Sequence, residues 1–244
     1  MTERKVALVT GAAGGIGAAI ATRLAADGFD IGIAYHSNES GAETVAAQCR
    51  AAGARAVLIK ADLADQGDVR RMFADIDESF ARLDVFVHNA AVFVWAKLGR
   101  ATDEDWRRSF AVNVDALNTG LGEVAKRMAD NGRVVTISSL NVEAGLPGSG
   151  PYVASKAAAE ALTRVAAKEL GKRAITANTV QLGLVDTPTA RAGLDAMFAP
   201  VAAQTTVRRN GTPADVAGTV AFLAGPDAGW LTGQTIDLDG GFAK

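Results

Sequence analysis

Short runs of β-branched and other apolar residues alternate with longer alanine-rich amphipathic stretches along this chain of 244 residues. We predict strands at Val6–Val9, Ile31–Tyr35, Ala56–Lys60, Val85–His88, Arg133–Ile137, Ile175–Val180 and Thr235–Leu238. We predict helices at Ile16–Asp27, Gly41–Ala52, Gln66–Phe80, Thr102–Ala129, Tyr152–Leu170 and Pro213–Leu223. Such alternation indicates right-handed βαβ units. The chain therefore predicts one α/β domain over residues 1–244, a doubly wound sheet of seven mainly parallel strands with helices on both faces.

Two stretches show neither the helical nor the strand pattern and are predicted to be irregular: Leu140–Pro151 and Leu182–Thr212. Each follows a predicted strand. Ligands of parallel sheets bind at the carboxyl ends of the strands. We therefore expect residues 184–212 to cover a substrate.

Composition and charge exclude several classes of function. The formal net charge is −2, which gives no electrostatic basis for nucleic-acid binding. Two distant histidines and the single cysteine, Cys49, do not make a metal site, and one cysteine suits a reducing compartment. No stretch approaches the roughly 18 apolar residues of a membrane span, and the apolar run Val6–Val9 is too short for a signal peptide. The sequence predicts a cytoplasmic protein with a small-molecule substrate and no metal.

A glycine-rich turn follows the first predicted strand. Val6–Gly17 reads as a strand, a turn and the start of a helix. Gly11 suits the turn, Gly15 lets the backbone approach a pyrophosphate, and Gly17 allows close packing of helix on strand. Glycines also mark ordinary turns, and the spacing is a variant of the dinucleotide fingerprint, but the strand–turn–helix context favours a Rossmann-type phosphate site. The predicted phosphate-binding residues are Gly11, Gly15, Ile16 and Gly17.

The end of the second predicted strand bears on the choice of cofactor. An acidic residue there usually holds the ribose diol of NAD, but this strand ends in His36, Ser37 and Asn38. These side chains can donate hydrogen bonds to a 2′-phosphate without repelling it. The alternative is that they are turn residues only. We expect NADP(H) to be favoured over NAD(H), although Gly14 stands where an arginine would strengthen that prediction.

A serine, a tyrosine and a lysine form the predicted catalytic group. Tyr152 and Lys156 are four residues apart, on one face of a predicted helix, and Ser139 ends the fifth strand. An ammonium beside a phenol favours the phenolate, so we expect a lowered pKa for Tyr152. A tyrosine with such a pKa can exchange a proton with a substrate oxygen that Ser139 also contacts. The alternative is a packing tyrosine and a solvated lysine.

These motifs resemble the short-chain dehydrogenase/reductase family over the full length of the chain, particularly its bacterial 3-oxoacyl-acyl-carrier-protein reductase-like members. The matching segments are Thr10–Gly17, Ala61–Leu63, Asn89-Ala90, Asn113-Val114, Ile137–Ser139, Tyr152–Lys156, Thr187 and Gly233–Gly241.

The resemblance implies a catalytic tetrad, a set of cofactor contacts and a homotetramer. The implied tetrad is Asn113, Ser139, Tyr152 and Lys156, with a water held by Asn113 linking Lys156 to a proton relay. Asp62 would contact the adenine, Lys156 the nicotinamide ribose and Thr187 the carboxamide. Further cofactor contacts are implied at Leu63, Asn89, Ala90 and Gly183.

Three positions depart from the family pattern. The usual Asn-Asn-Ala-Gly is His88-Asn89-Ala90-Ala91, and the usual Pro-Gly after the sixth strand is Leu182-Gly183. The third departure is Gly14. We expect His88 to be a packing residue at a strand end rather than a ligand.

The sequence thus predicts an NADP(H)-dependent oxidoreductase that interconverts a carbonyl and a secondary alcohol, with Tyr152 as general acid and base. A 3-oxoacyl thioester is one candidate substrate; a sugar, a steroid or another small alcohol is the alternative. A non-enzymatic dinucleotide sensor is a further alternative, but a sensor has no chemical need for the tetrad.

Overall fold

The computed structural model describes residues 4–242, and its strands form one sheet in the order β3-β2-β1-β4-β5-β6-β7. The strands are β1 (Val6–Thr10), β2 (Asp30–Tyr35), β3 (Ala56–Lys60), β4 (Val85–His88), β5 (Arg133–Ser139), β6 (Thr176–Leu182) and β7 (Thr235–Leu238). Every neighbouring pair is parallel. The predicted fold class is confirmed, and within the described residues the sheet is parallel throughout.

Helices flank the strands. They are α1 (Gly15–Ala26), α2 (Glu39–Ala51), α3 (Gln66–Phe80), α4 (Asp103–Phe110), α5 (Ala116–Arg127), α6 (Asn141–Ala144), α7 (Gly150–Leu170), α8 (Pro188–Gln204) and α9 (Pro213–Ala224). A π-helical segment, Ala111–Asp115, joins α4 to α5, and short 3₁₀ turns lie at Gly171–Arg173 and Pro226–Ala228. In the part of the chain described here, no helix combines the length and apolarity needed to cross a membrane.

The sheet is covered on both faces because its central strands are apolar on both faces. Successive side chains of a strand point to opposite faces. In β1, Ala7 and Val9 join the apolar cluster that includes α1, α2 and α9 residues, whereas Val6 and Leu8 join the cluster that includes α3, α5 and α7 residues. All four side chains are essentially buried. Continuous apolar runs of this kind are typical of parallel strands between two helical layers.

The order of the strands places a crevice beside β1. The chain moves outward from β1 through β2 to β3 and then returns to the other side of β1 with β4. The loops that leave the carboxyl ends of β1 and β4 therefore diverge, which opens a ligand crevice in such sheets. The glycine-rich turn follows β1 and Asn89-Ala90 follows β4, so both motifs border this crevice.

Two predicted stretches differ from the observed structure. Within the segment 182–212, predicted to be irregular, Pro188–Gln204 is helical, with a break at Leu194 where φ is −131° and ψ is 18°. Gly193 and Pro200 lower the helix propensity of this segment and obscured its pattern. The predicted helix Thr102–Ala129 is likewise divided by the π segment.

The stretch before Tyr152 that is predicted to be irregular also contains helix. Asn141–Ala144 forms one turn, and α7 begins at Gly150 rather than at Tyr152. Pro151 stands within the first turn of α7, where its missing N–H is tolerated.

Candidate active site

Two hydroxyl groups converge at the carboxyl edge of the sheet. Ser139 is the last residue of β5, and Tyr152 lies in the first turn of α7. Their side chains share a hydrogen bond, and the Asn141 amide donates to the Ser139 Oγ at 3.3 Å. Tyr152 is half-buried and Ser139 is partly exposed. The structure thus brings together two predicted catalytic hydroxyls at a surface that a small molecule can reach.

Lys156 lies one helical turn beyond Tyr152, and its side chain is only 2% exposed. Its Nζ donates to the Ile137 carbonyl oxygen at 2.8 Å and lies 5.8 Å from the centroid of the Tyr152 ring. The i, i+4 spacing puts the ammonium on the tyrosine's side of α7. The backbone of β5 therefore holds a buried cation close to the phenol of Tyr152.

Burial changes the acidity of both groups. It raises the pKa of Tyr152 to about 12, against the smaller lowering effect of the hydrogen bond with Ser139. It lowers the pKa of Lys156 to about 8, partly offset by the negative charge of Glu160. The expected lowering of the Tyr152 pKa is therefore wrong for this structure, because desolvation of the phenolate is the dominant effect.

Asn113 occupies the middle of the π segment Ala111–Asp115 and is fully buried. Its Oδ1 accepts from the Val92 amide at 2.8 Å, and its Nδ2 donates to the Val92 carbonyl at 3.0 Å and to the Ser155 Oγ at 2.9 Å. The side chain therefore ties the segment after β4 to α7. The implied water between Asn113 and Lys156 stays a prediction.

His88, the first departure from the family pattern, lies beside the predicted tetrad residue Asn113. It is 1% exposed, and its imidazole hydrogen-bonds the backbone of Asn113. Within the described residues, its buried Nε2 has no hydrogen-bond partner. Burial, reinforced by the charge of Lys156, lowers the pKa of His88 to about 3. His88 is a packing residue, as predicted, but it also contacts the backbone of one tetrad member.

The acidity of His88 makes a testable contribution to stability. The pKa falls from 6.5 to about 3 on folding, so the unfolded chain gains a proton below pH 6.5 that the folded chain does not. His88 should therefore lower the free energy of unfolding by about 2 kcal/mol near pH 5. Near pH 7.5 it should have almost no effect on that free energy. Urea unfolding at both pH values should show that the free energy of unfolding falls less from pH 7.5 to pH 5 in His88→Asn than in the wild type.

The chain's other histidine provides the control. His36→Asn makes the same substitution at an exposed side chain, so it controls for the replacement of a histidine by asparagine as such. If the free energy of unfolding falls equally between pH 7.5 and pH 5 in the wild type and in His88→Asn, the assignment of this effect to His88 is contradicted.

The glycine-rich turn after β1 has the geometry of an anion site. Gly11 and Gly15 have φ values of +66° and +54°, in the left-handed region that favours glycine. A Cβ on Gly17 would lie inside contact distance of the Gly11 carbonyl oxygen, so α1 packs directly against the turn. Ile16, in the first turn of α1, packs partly buried on the core.

The first turn of α1 leaves its amide groups available to a ligand. Among the described residues, no side chain caps α1, and its first turn holds no acidic residue. In contrast, Asn38, Asp65, Thr102, Thr187 and Thr212 cap other helices. Free N–H groups at a helix N-terminus favour a phosphate. The turn and this helix end therefore fit a dinucleotide pyrophosphate.

The loops after β1 and β4 are joined by hydrogen bonds. The Asn89 Nδ2 donates to the Thr10 carbonyl at 2.9 Å. The amides of Asn89 and Ala90 donate to the Thr10 Oγ1 at 3.0 and 3.1 Å. Asn89 and Ala90 therefore lie directly beside the glycine-rich turn at residues 11–15, termed the phosphate turn, at the position predicted for contacts with the cofactor ribose.

A shallow cleft continues from the phosphate turn across the ends of β2 and β3. Its lining residues are Thr10, Gly11, Ala34, Tyr35, His36, Ala61, Leu63 and Ala90. The exposed side chain of His36 borders this cleft, and its Nε2 lies 3.9 Å from the Asp62 Oδ2; Ser37, the next residue, is also exposed. The structure thus gathers the residues predicted for the adenosine end of the cofactor.

Asn38 differs from its two neighbours because its side chain is already engaged. Its Nδ2 donates to the Ala13 carbonyl at 3.1 Å, and its Oδ1 accepts from the Gly41 amide at 3.1 Å. Asn38 therefore caps α2 and connects that helix to the phosphate turn. His36 and Ser37 remain the exposed polar side chains of this predicted group.

Gly183 and Thr187 close the opposite side of the crevice. A Cβ on Gly183 would lie 2.8 Å from the Asp239 Cα, which explains the glycine despite the departure at Leu182. The Thr187 Oγ1 accepts from the Ala190 amide at 3.1 Å and caps α8. A Cβ on Gly15 would lie 3.7 Å from the Thr187 Cγ2. Thr187 therefore faces the phosphate turn.

Comparison with known proteins assigns the family. The family model described as "Enoyl-(Acyl carrier protein) reductase" matches residues 11–243. A solved short-chain dehydrogenase/reductase from Serratia marcescens is 38% identical, with a TM-score of 0.93 and 98% of each chain covered. This chain is a short-chain dehydrogenase/reductase. Its family is thus an enzyme family acting on CH–OH and C=O groups, as predicted.

Two further relatives bear on cofactor and substrate. A blue fluorescent protein from a metagenomic library, solved in complex with NADPH, is 40% identical with a TM-score of 0.93, and the match covers 98% of each chain. A 3-oxoacyl-[acyl-carrier-protein] reductase of Staphylococcus aureus is 35% identical over 99% of each chain.

Two side chains around the predicted tetrad of this short-chain dehydrogenase/reductase were not among the residues predicted from the sequence. Ser155 bonds Asn113 and also donates to the Tyr152 carbonyl at 2.7 Å. Glu160 is 6% exposed and accepts from the Ser138 Oγ at 2.6 Å. Glu160 follows Lys156 at the i, i+4 spacing, a signal that could have identified it.

In the segment predicted to cover a substrate, Phe198 and Arg209 already contact other side chains of the protein. Phe198 is 3% exposed, and the Arg191 guanidinium lies 3.8 Å from the centroid of its ring. Arg209 forms a bidentate ion pair with Asp215 at 2.6 and 2.8 Å. Neither Phe198 nor Arg209 is therefore poised to meet a ligand in this arrangement, and the covering role of residues 184–212 stays a prediction.

Proposed function

We propose that this enzyme uses NADP(H) to reduce a carbonyl group to a secondary alcohol, or to catalyse the reverse oxidation, with Tyr152 as general acid and base. The observation that carries the proposal is the pair of hydroxyls, Ser139 and Tyr152, beside a crevice bordered by an uncapped helix. Bound NADPH supplies a hydride to the carbonyl carbon. Tyr152 donates its proton to the carbonyl oxygen, and Ser139 donates a hydrogen bond to the same atom.

The acidity of Tyr152 and Lys156 supports this division of roles. With a pKa of about 12, the Tyr152 phenol is protonated at neutral pH and ready to act as a proton donor. With a pKa of about 8, Lys156 is mainly an ammonium at neutral pH and favours the phenolate left after proton transfer. We further propose that Lys156 binds the nicotinamide ribose and that Asn113 orders a water beside it.

The cofactor preference rests on the cleft at the end of β2. His36 and Ser37 are exposed there, and the strand tip carries no carboxylate of its own. The NADPH-bound relative supports the same preference. We therefore propose that His36 and Ser37 contact the 2′-phosphate and that Asp62 and Leu63 contact the adenine.

A charge substitution tests this cofactor preference. His36→Asp should lower the ratio of kcat/KM for NADPH to that for NADH by about tenfold or more, because the new carboxylate repels the 2′-phosphate. His36→Asn is the neutral control of matching size and should change the ratio much less. Equal ratios in the wild type and the Asp variant would show that His36 is remote from that phosphate.

The Staphylococcus aureus relative makes a 3-oxoacyl thioester the first substrate to assay. The experiment is titration of the purified protein with NADPH and NADH by nicotinamide fluorescence, followed by acetoacetyl thioester and a panel of ketones. NADPH binding with oxidation by a carbonyl compound supports the proposed function. Failure to bind either cofactor would contradict it.

We also propose a homotetramer in the cytoplasm. Exposed apolar side chains support self-association: Trp106 on α4, Val165 on α7, and Phe222 and Trp230 near the C-terminus are each 48% to 100% exposed. The buried free thiol of Cys49 is compatible with a reducing compartment. Sedimentation equilibrium tests the assembly, since a mass of one chain would contradict it.

A further inference from the structure

Two aromatic side chains stand beside the catalytic tyrosine. Phe93 and Trp95, in the segment after β4, are 42% and 50% exposed. The Phe93 ring contacts the Tyr152 ring edge-on, with centroids 4.7 Å apart and an interplanar angle of 72°. The Trp95 ring lies 5.7 Å from the Phe93 ring. These two rings, termed the aromatic wall below, extend outward from the site of proton transfer.

The aromatic wall is held by backbone contacts to the segment that leads into α7. The Ala96 amide donates to the Gly148 carbonyl at 2.7 Å, and Ala96 pairs with Ser149 in a parallel bridge. Trp95 packs closely on Gly148, where a Cβ would lie 2.8 Å from the indole Nε1. Gly148 also has a φ of +91°, which favours glycine. The wall and Tyr152 are therefore fixed to the same segment.

The aromatic wall presents flat apolar ring faces and almost no polar atoms. The polar nitrogen of Trp95 lies against the Gly148 backbone, and Phe93 has no polar atom. Aromatic rings gain most from partners that stack on them or meet them edge-on, because such contacts match their quadrupoles as well as bury their area. A planar apolar group next to a reacting carbonyl would satisfy both rings.

Other aromatic side chains of the protein, such as Phe198 and the Phe73–Phe86 pair, are buried and serve packing only. Phe198 is buried under the Arg191 guanidinium and leaves almost no surface for a ligand. Phe73 and Phe86, 5.1 Å apart, are each 1% exposed in the core. The aromatic wall instead remains half-exposed while it touches the catalytic ring, which is the arrangement of a binding surface.

We propose that the aromatic wall is a substrate subsite that binds the aryl group of an aryl ketone, with the ketone oxygen directed to Tyr152 and Ser139. This inference rests on the proposed function and narrows its substrate class. In the reduction, the hydride of NADPH forms the new C–H bond at the carbonyl carbon and leaves NADP⁺. The Tyr152 proton forms the new O–H bond, which gives an aryl carbinol.

A matched pair of ketones tests the subsite. Acetophenone and cyclohexyl methyl ketone share the methyl ketone group and the number of ring carbons, but only the first is planar and aromatic. The wild type should show a kcat/KM for acetophenone at least about tenfold above that for cyclohexyl methyl ketone. Phe93→Leu keeps an apolar side chain without the ring and should remove most of this preference while leaving the Kd for NADPH unchanged.

Phe222→Leu is the matched control, because Phe222 is 51% exposed on α9, away from Tyr152, and its replacement should keep the wild-type preference. A wild type that reduces both ketones equally well, or a Phe93→Leu variant that keeps the full preference, would overturn the subsite and leave the proposed function intact. If the enzyme binds NADPH but reduces neither ketone and yet reduces acetoacetyl thioester, the subsite alone fails. If no carbonyl compound is reduced, both proposals fail.

Discussion

Tyr152→Phe should lower kcat for carbonyl reduction by about a thousandfold, because general acid catalysis by a positioned side chain contributes roughly 10²–10⁴ to a rate. The substitution removes the hydroxyl that shares a hydrogen bond with Ser139 and keeps the ring that packs on Phe93. Steady-state kinetics measures the loss. Nicotinamide fluorescence should show a nearly unchanged Kd for NADPH, because the phosphate turn is not altered.

The chain offers a control for this substitution at its other tyrosine. Tyr35 lies in β2 and is 8% exposed, on the strand that leads to the adenosine cleft. Tyr35→Phe makes the same chemical change away from Ser139 and Lys156. Because Tyr35 lines the cleft proposed for the adenosine end of the cofactor, any effect should fall on the Kd for NADPH, and kcat at saturating NADPH should stay nearly unchanged. Turnover in Tyr152→Phe at the wild-type rate would rule out Tyr152 as the proton donor.

Gly17→Ala should weaken NADPH binding by about ten- to a hundredfold. The added Cβ would lie inside contact distance of the Gly11 carbonyl and 2.7 Å from the Asn89 Nδ2. Relieving that contact requires the phosphate turn to move away from α1, or Asn89 to release the Thr10 carbonyl. Either movement disturbs the amide groups that we propose bind the pyrophosphate. Fluorescence titration with NADPH measures the effect.

Gly14→Ala is the control for this substitution. A Cβ on Gly14 meets nothing within 4 Å, and its φ of 174° is ordinary extended backbone. This variant should bind NADPH almost as the wild type does. Thermal unfolding of both variants separates a lost site from a lost fold, and equal affinity in the wild type, Gly14→Ala and Gly17→Ala would contradict the proposed role of the turn.

Much of the fold follows from local sequence patterns. Five of the predicted strands, including Val85–His88 and Thr235–Leu238, agree with the structure to within one residue at each end. Their apolar runs are bounded by turn residues, so little tertiary information is needed to find them. The phosphate turn was equally readable, since its φ values require glycine at Gly11 and Gly15.

The details of the tetrad depend on contacts between distant residues. The π segment around Asn113 contains no glycine or proline to mark it. Its asparagine bonds Val92 and Ser155, which are 21 and 42 residues away in the sequence. A local pattern cannot show such partners, so the break in the predicted helix was missed.

Burial explains the wrong prediction for the acidity of Tyr152. The spacing to Lys156 placed a positive charge near the phenol, as the structure confirms. The spacing did not show how far the surrounding protein desolvates the phenolate, and desolvation is the larger effect. For the same reason, the low pKa of His88 was not predicted from its place at a strand end.

The most direct test of the proposed function is to follow deuterium from NADPH into the product. The purified enzyme is incubated with NADPH carrying deuterium at the transferred position of the nicotinamide ring, together with a ketone that it turns over, and the alcohol is analysed by NMR and mass spectrometry. Hydride transfer from NADPH should place one deuterium at the carbinol carbon and leave an ordinary proton on the oxygen. An alcohol without deuterium at that carbon, or no alcohol from any carbonyl compound assayed, would contradict hydride transfer as the activity of this protein.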